Sequence, residues 1–241
     1  MNVDDNPMYE PFLLGVGGNQ IFFTGPVTPA SSLGLKTKLY EMASSGFPWI
    51  NLHLQSPGGD SFSAYSIYDH IKSLSIPVNT VADGECESAA TIIFMAGTNR
   101  FIMPNAVFRP HQGRFTVIGS PYDAAMDEAL NWKKDETKAR QIYLDETERV
   151  WRSRGQQTAR RLETSGKIVT CEGHRDCIVK QVEREIELNA QEVVDFGYAD
   201  GVWTREVAKD LVLTRSPKDD YIERLQSQIR HLERQCNKQQ G

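Results

Sequence analysis

The chain has 241 residues and a formal net charge of −5 at pH 7, with 39% hydrophobic and 24% charged residues. This composition is typical of a soluble globular protein, with neither the apolar excess of a membrane protein nor the depletion of apolar residues that marks a disordered chain. A negative net charge opposes non-specific attraction to phosphates, and no uninterrupted apolar run approaches about 18 residues, so we expect neither nucleic acid nor a membrane as partner.

In its first half, the chain alternates β-prone segments with helical ones. The predicted strands are Gln20–Gly25, Trp49–Leu54, Val78–Ala82, Phe101–Met103 and Ala106–Phe108. The predicted helices are Ser31–Ser45, Ser63–Ser73 and Ser88–Ala96. Strands and helices that alternate in this way predict an α/β fold of βαβ units around a largely parallel sheet.

The second half is more polar. A long amphipathic helix is predicted from Tyr122 to about Arg152, and an irregular surface insertion at about 150–176. Later predicted elements are a helix from about Cys177 to Glu185, a helix capped by Asn189 and ended by Gly197, a strand near Gly201–Trp203, and a helix from Asp219 to about Gln239. We therefore divide the chain into an N-terminal extension (1–18), one domain (19–212) and a C-terminal helical tail (213–241).

The four cysteines, Cys86, Cys171, Cys177 and Cys236, are few and scattered for a chain of this size. Disulfide-dependent secreted domains are denser in cysteine, and the first five residues carry two aspartates where a signal peptide would be basic. We therefore expect reduced cysteines in a cytoplasmic protein. Cys86 is expected to be a small buried residue rather than a nucleophile.

Cys171, His174 and Cys177 carry side chains that suit zinc, with Cys236 as a possible fourth ligand. Three ligands packed so closely do not match the paired spacing of structural zinc sites. We therefore expect no metal and no cofactor.

Ser88 opens an apolar helix, where the helix dipole favours developing negative charge. A serine there can equally be a helix cap, so its position alone does not identify a nucleophile. Of the five histidines, only His111 lies at the end of a predicted strand and close to a glycine, Gly113. A general base for Ser88 is expected in such a loop. Oxyanion donors are available from the Gly58-Gly59 turn and from the Ala89 amide.

Taken together, these segments resemble the proteolytic subunit of the Clp protease. The resemblance rests on Ser56-Pro57-Gly58-Gly59, on Gly84-x-x-x-Ser88-Ala89-Ala90, and on Pro104-Asn105 followed by His111-Gln112, and it runs from about Gln20 through Gly201. It implies a crotonase-like fold and a serine peptidase that acts on unfolded chains. It also implies that Ser88 is the nucleophile, His111 the base, and Gly59 and Ala89 the oxyanion-hole amides.

The resemblance places Glu185 where the family has its triad aspartate, and a longer acid there requires the backbone to sit further back. Glu87 and Arg109 also depart from the family pattern; Glu87 would oppose an oxyanion if it faced the site, and Arg109 would offset it. Glu183 and Arg184 match residues that help ring subunits meet, although a solvated helix end explains them equally well.

The family resemblance further implies stacked heptameric rings, homo-oligomeric or mixed, fed by an AAA+ unfoldase. The chain has no Gly-x-x-x-x-Gly-Lys-Ser/Thr loop, so a partner would use the ATP. Three alternatives stay open: a virus-type head-maturation protease, a catalytically impaired ring subunit, and a crotonase-type acyl-CoA enzyme.

Overall fold

The structure, a computed structural model, describes residues 12–113, 121–153, 160–164, 167–213 and 221–230. Its strands are β1 (Leu13–Gly17), β2 (Gln20–Thr24), β3 (Ile50–Ser56), β4 (Val78–Glu87), β5 (Arg100–Ile102), β6 (Val107–Arg109), β7 (Arg160–Thr164), β8 (Lys167–Cys171) and β9 (Gly201–Val202). Its helices are α1 (Pro29–Ala43), α2 (Ser61–Ser73), α3 (Ala89–Met95), α4 (Tyr122–Ser153), α5 (His174–Glu183), α6 (Ala190–Phe196) and α7 (Arg205–Leu211).

The central sheet has the parallel arrangement that the alternating elements predict. Its strands lie in the order β1-β2-β3-β4-β5-β9, and all neighbours except β1 and β2 run parallel. β6 pairs with the last residues of β4, where Glu87 lies opposite Arg109. Because β3, β4 and β6 end close together, the loops that follow them meet at one edge of the sheet.

The middle of the sheet is covered on both faces. Ile50 to Leu54 of β3 are consecutively buried, and all seven residues of α3 are buried. Asn51 and His53 alternate with the apolar residues of β3, yet both are buried, so this strand is covered on both faces. The buried α3 fixes the position of its own N-terminus, which is the peptide that follows Ser88.

The sheet begins earlier than the predicted domain boundary at residue 19. β1 lies within the predicted extension 1–18 and pairs antiparallel with β2, with Gly17 opposite Gln20. The Gly18-Asn19 pair between the two strands is a hairpin signal that could have identified β1 from the sequence. Leu13 and Val16 are exposed, so β1 adds little to the core.

The predicted irregular insertion at about 150–176 contains regular structure, so this part of the prediction is wrong. β7 and β8 pair antiparallel, with Thr164 opposite Lys167. Val169 and Cys171 are buried because β8 packs against α5, which begins at His174 rather than at the predicted Cys177.

The last described elements were predicted in part. Asn189 caps α6 in a capping box with Glu192, and Gly197 ends it in the left-handed conformation, as expected. α7 was not predicted. Within the predicted tail, residues 221–230 are helical, and the rest of the predicted helix to Gln239 lies outside the described residues. No helix in the described ranges has the length and apolar character needed to cross a membrane.

Candidate active site

Ser88 occupies a strained turn between β4 and α3. Its backbone has φ 51° and ψ −127°, and Ser88 and Glu185 are the only non-glycine residues with positive φ in the described chain. Such conformations cost about 1–3 kcal/mol and persist where surrounding contacts over-determine them. One of these contacts is the hydrogen bond from the Ser88 N–H to the Arg109 carbonyl, 3.0 Å away on β6.

The Gly58-Gly59 loop packs directly against this turn. Gly58 has φ +92°, and a Cβ there would lie 2.5 Å from the Ser88 Cβ and 2.8 Å from the Ala89 nitrogen. Gly59 has φ +139° and forms a parallel bridge with Val27. Neither the Gly59 nor the Ala89 N–H donates to an acceptor among the described residues, so both remain available to a ligand oxygen.

His111 follows β6 and stands beside the Ser88 turn. Its Nδ1 lies 2.6 Å from the carbonyl oxygen of Gln112. Because a carbonyl only accepts, Nδ1 carries the proton in this contact, and in the neutral ring Nε2 is then the acceptor. No hydrogen bond joins Ser88 Oγ to His111 in the described part of the chain. The ring therefore has the tautomer that a general base needs, without direct contact to the hydroxyl.

Glu185 lies just beyond the C-terminus of α5, where its φ of 50° reverses the chain. The buried Gln181 fixes this turn: its Nε2 donates to the Ile186 carbonyl at 2.9 Å, and its Oε1 accepts from the Tyr198 hydroxyl at 2.7 Å. A left-handed residue at this position normally is glycine or asparagine. Glycine or asparagine would form this turn with less backbone strain than glutamate. A purely structural role therefore does not explain the carboxylate at this position.

One cavity of about 430 Å³ brings the predicted site residues together. Gly59, Ser88, Ala89, His111 and Glu185 all line it. The rest of its wall includes the apolar side chains Tyr65, Ile92, Trp132, Ala139, Tyr143 and Val182. Sequence analysis missed the contribution of α4, which supplies Trp132, Ala139 and Tyr143. The spacing of Tyr143, Thr147, Val150 and Trp151 marks a buried face of α4 that could have identified it.

Glu87 and Arg109 form an ion pair across β4 and β6. Arg109 Nε lies 3.0 Å from Glu87 Oε2, and a second guanidinium nitrogen contacts the same oxygen. The hydrogen bond to Glu87 is the main cause that raises the pKa of Arg109. Arg109 lines the cavity and Glu87 does not, so the Glu87 carboxylate is neutralised by Arg109 outside the cavity lining.

We expect Arg109→Met to destabilise the fold by about 1–3 kcal/mol, because the Glu87 side chain, 11% exposed, loses its partner. Urea denaturation measures the free energy of unfolding. The double variant Glu87→Gln/Arg109→Met should recover most of the loss, since it leaves no buried charge. A single variant as stable as the wild-type protein would show that solvent already screens the pair.

Glu183 and Arg184 lie at the exposed end of α5. Glu183 Oε1 is 3.3 Å from a guanidinium nitrogen of Arg140 on α4, and Arg184 is the C-cap residue of α5. Both side chains are exposed, so the fold leaves them accessible to another subunit. Their predicted role in oligomer contacts stays a prediction.

The expectation of reduced cysteines is wrong for one pair. Cys171 and Cys177 form a disulfide because the end of β8 and the first turn of α5 bring their Cα atoms within 4.8 Å. His174 Nε2 lies 2.6 Å from the Thr147 hydroxyl, which donates to the Tyr143 carbonyl, so the imidazole is the donor in that contact. The three side chains that suit zinc thus contact protein groups: Cys171 and Cys177 bond to each other, and His174 contacts Thr147. Cys236 lies outside the described residues. Cys86 is buried as expected, and burial raises the pKa of its thiol.

The family model of the Clp protease matches residues 16–206. The "ATP-dependent Clp protease proteolytic subunit 1" of Chlamydia muridarum is 29% identical over 193 residues, which cover 76% of this chain and 85% of the relative. The protein of the same name from Chlamydia trachomatis serovar D is 28% identical with the same coverage. The "ATP-dependent Clp protease proteolytic subunit 2" of Treponema denticola is 28% identical over 197 residues, covering 80% of this chain and 84% of the relative.

Proposed function

Because this chain belongs to the Clp protease family, a family of peptidases, we propose that it is a serine endopeptidase that hydrolyses peptide bonds of unfolded proteins, with Ser88 as nucleophile and His111 as base. The observation that carries this proposal is the single cavity lined by Ser88, His111 and both oxyanion amides. These residues come from loops after three different strands, and a merely structural serine would not need them in one place.

In the proposed mechanism, Ser88 Oγ attacks the scissile carbonyl while His111 accepts its proton at Nε2. The carbonyl oxygen becomes an oxyanion that accepts hydrogen bonds from the Gly59 and Ala89 amides. When the C–N bond breaks, His111 gives its proton to the leaving amine, and an ester to Ser88 remains. Water then attacks this ester with His111 as base, which releases the acid product and restores the hydroxyl.

We assign Glu185 as the acid of the triad. It lines the cavity, and its left-handed turn is held by the buried Gln181. In the described conformation, His111 Nδ1 donates to a backbone carbonyl rather than to this carboxylate. The proposal therefore requires the imidazole to turn towards Glu185 in the catalytically competent assembly, since apo geometries often tighten only with substrate.

We further propose that the subunit works in stacked heptameric rings, with a separate AAA+ unfoldase that supplies unfolded chains. The relatives named above are called proteolytic subunits of an ATP-dependent protease. Exposed Glu183 and Arg184 are the proposed inter-ring contacts. No cofactor is required by this chemistry.

One observation favours a second candidate, a ring subunit that has lost catalysis. His111 contacts neither Ser88 Oγ nor a carboxylate through a hydrogen bond in the described residues. A subunit kept only for assembly would tolerate this arrangement, as well as the change of the triad aspartate to glutamate.

A fluorophosphonate probe separates the two candidates, because it reacts with serines that a neighbouring base activates. We expect the assembled protein to be labelled at Ser88, as located by peptide mass spectrometry, and Ser88→Ala to abolish labelling. Ser61→Ala is the matched control, since Ser61 lines the same cavity without a proposed role in the chemistry. An assembled wild-type ring that stays unlabelled would overturn the peptidase proposal in favour of the scaffold.

A further inference from the structure

The peptide unit between Ser88 and Ala89 joins the proposed nucleophile to a proposed oxyanion donor. A trans peptide is planar, and its C=O and N–H point in opposite directions. The orientation of the Ser88 carbonyl therefore fixes where the Ala89 N–H points. Whatever holds this carbonyl also aims the donor on the other side of the plane.

Thr91 holds the carbonyl with two groups. Its N–H donates to the Ser88 oxygen at 3.0 Å, and its hydroxyl donates to the same oxygen at 2.5 Å. Thr91 Oγ1 also lies 2.7 Å from the hydroxyl of Tyr143. Because the single hydroxyl proton of Thr91 is used on the carbonyl, Tyr143 must be the donor to Thr91. The result is a directed chain from Tyr143 through Thr91 to Ser88.

This hydroxyl chain is shielded from solvent. Thr91 is 0% exposed and Tyr143 2% exposed. Burial raises the pKa of the Tyr143 phenol, so it stays protonated and keeps its role as donor at neutral pH. Hydrogen bonds in such surroundings are stronger than in water, and bonds in series polarise one another. The chain also links α3 to α4, whose residues form one wall of the cavity.

We propose that Thr91 and Tyr143 are positioning residues that hold the Ser88–Ala89 peptide so that the Ala89 N–H faces the developing oxyanion. This inference rests on the proposed peptidase function and adds two residues to its machinery. Thr91 does not line the cavity and Tyr143 does, but the hydroxyl of each is directed along the chain to the Ser88 carbonyl, so both act through the peptide plane. Their removal should therefore weaken transition-state stabilisation more than substrate binding.

The test compares Thr91→Val, which removes the hydroxyl at nearly constant volume, with Thr91→Ser, which keeps it. For hydrolysis of a fluorogenic peptide by assembled protein, we expect Thr91→Val to lower kcat about 10–100-fold with KM changed less than about twofold. Thr91→Ser should restore kcat to within about threefold of wild type, and Tyr143→Phe should lower it about three- to tenfold. A peptide aldehyde, whose hemiacetal oxygen occupies the oxyanion position, should lose affinity in parallel with kcat/KM.

Thr80→Val is the matched control for loss of a buried hydroxyl. Thr80 is fully buried, and its hydroxyl donates to the Phe94 carbonyl at 2.7 Å, near the opposite end of α3. This variant should melt at a lower temperature yet keep wild-type kcat and aldehyde affinity. If Thr91→Val alone does not fold, Thr91→Val/Tyr143→Phe removes both partners without leaving an orphaned hydroxyl.

Equal kinetics for wild type, Thr91→Val and Thr91→Ser would overturn the positioning role while leaving the peptidase assignment intact. A KM effect without a kcat effect would also overturn it. Failure of the proposed function itself is seen separately, as wild-type protein that neither hydrolyses the peptide nor reacts with the fluorophosphonate.

Discussion

Replacement of His111 with alanine is expected to lower kcat/KM for peptide hydrolysis by about 10³–10⁶-fold without loss of the fold. The ring is half-buried in the cavity wall, and its Nδ1 contact is to the adjacent Gln112, so removal leaves no distant group unpaired. The loss arises because Ser88 then has no base to take its proton. Steady-state hydrolysis of a fluorogenic peptide, with circular dichroism as the check on folding, measures the effect.

Two comparisons sharpen this expectation. Nucleophile and base act as one unit, so Ser88→Ala/His111→Ala should be no slower than either single variant. His70→Ala is the control histidine, because His70 lies on α2 outside the cavity lining. A His111→Ala variant with more than about a tenth of wild-type activity would remove His111 from the proposed mechanism.

The same assay tests the acid. Glu185→Asp should keep or raise activity, since aspartate is the residue that the family resemblance predicts at this position. Glu185→Ala should slow hydrolysis, because it removes the carboxylate that is proposed to hold the His111 ring in its productive orientation. Equal rates for wild type and Glu185→Ala would show that another group is the third member.

The sequence predicted the parallel sheet because strand-like segments such as Trp49–Leu54 are bounded by glycine and proline and alternate with helical segments. It also predicted α6 from Asn189 and Gly197, whose capping roles are local and need no tertiary context. The β7–β8 hairpin was missed because its burial depends on α5, which lies later in the chain. An element can be predicted when its own residues contain the pattern that defines it. An element whose burial depends on a later part of the chain cannot.

The candidate site shows the same limit. Three of the predicted site residues lie close to glycine or proline at the predicted ends of strands or the start of a helix, which made them recognisable in the sequence. These residues, Ser88, His111 and Gly59, all line one cavity in the structure. The contact between Thr91 and Tyr143 joins residues that are 52 positions apart in the sequence. Neither this contact nor the contribution of α4 to the cavity wall could therefore be predicted from a local pattern. The disulfide was missed for a different reason: Cys171 and Cys177 are close in sequence, but only the turn into α5 brings their sulfur atoms together.

Gly58→Ala is the second change with a large expected effect. Its Cβ would lie 2.7 Å from the Glu87 carbonyl oxygen as well as 2.5 Å from the Ser88 Cβ, and an alanine at φ +92° is strained by itself. Backbone strain of about 1–3 kcal/mol and overpacking of about 1–3 kcal/mol predict a loss of about 2–6 kcal/mol in unfolding free energy. Because the displaced atoms belong to the nucleophile turn, fluorophosphonate labelling should fall with stability.

Two other glycines separate the causes. Gly173 has φ +119° with open space around its Cβ position, so Gly173→Ala measures backbone strain alone. Gly201 has open space and no such φ, so Gly201→Ala should leave the unfolding free energy within about 0.5 kcal/mol of wild type. If Gly58→Ala costs no more than Gly173→Ala and labels at the wild-type rate, the loop does not press on Ser88. If it costs more and labelling collapses, the close approach of Gly58 is what shapes the nucleophile turn, and glycine is required there by contact as well as by conformation.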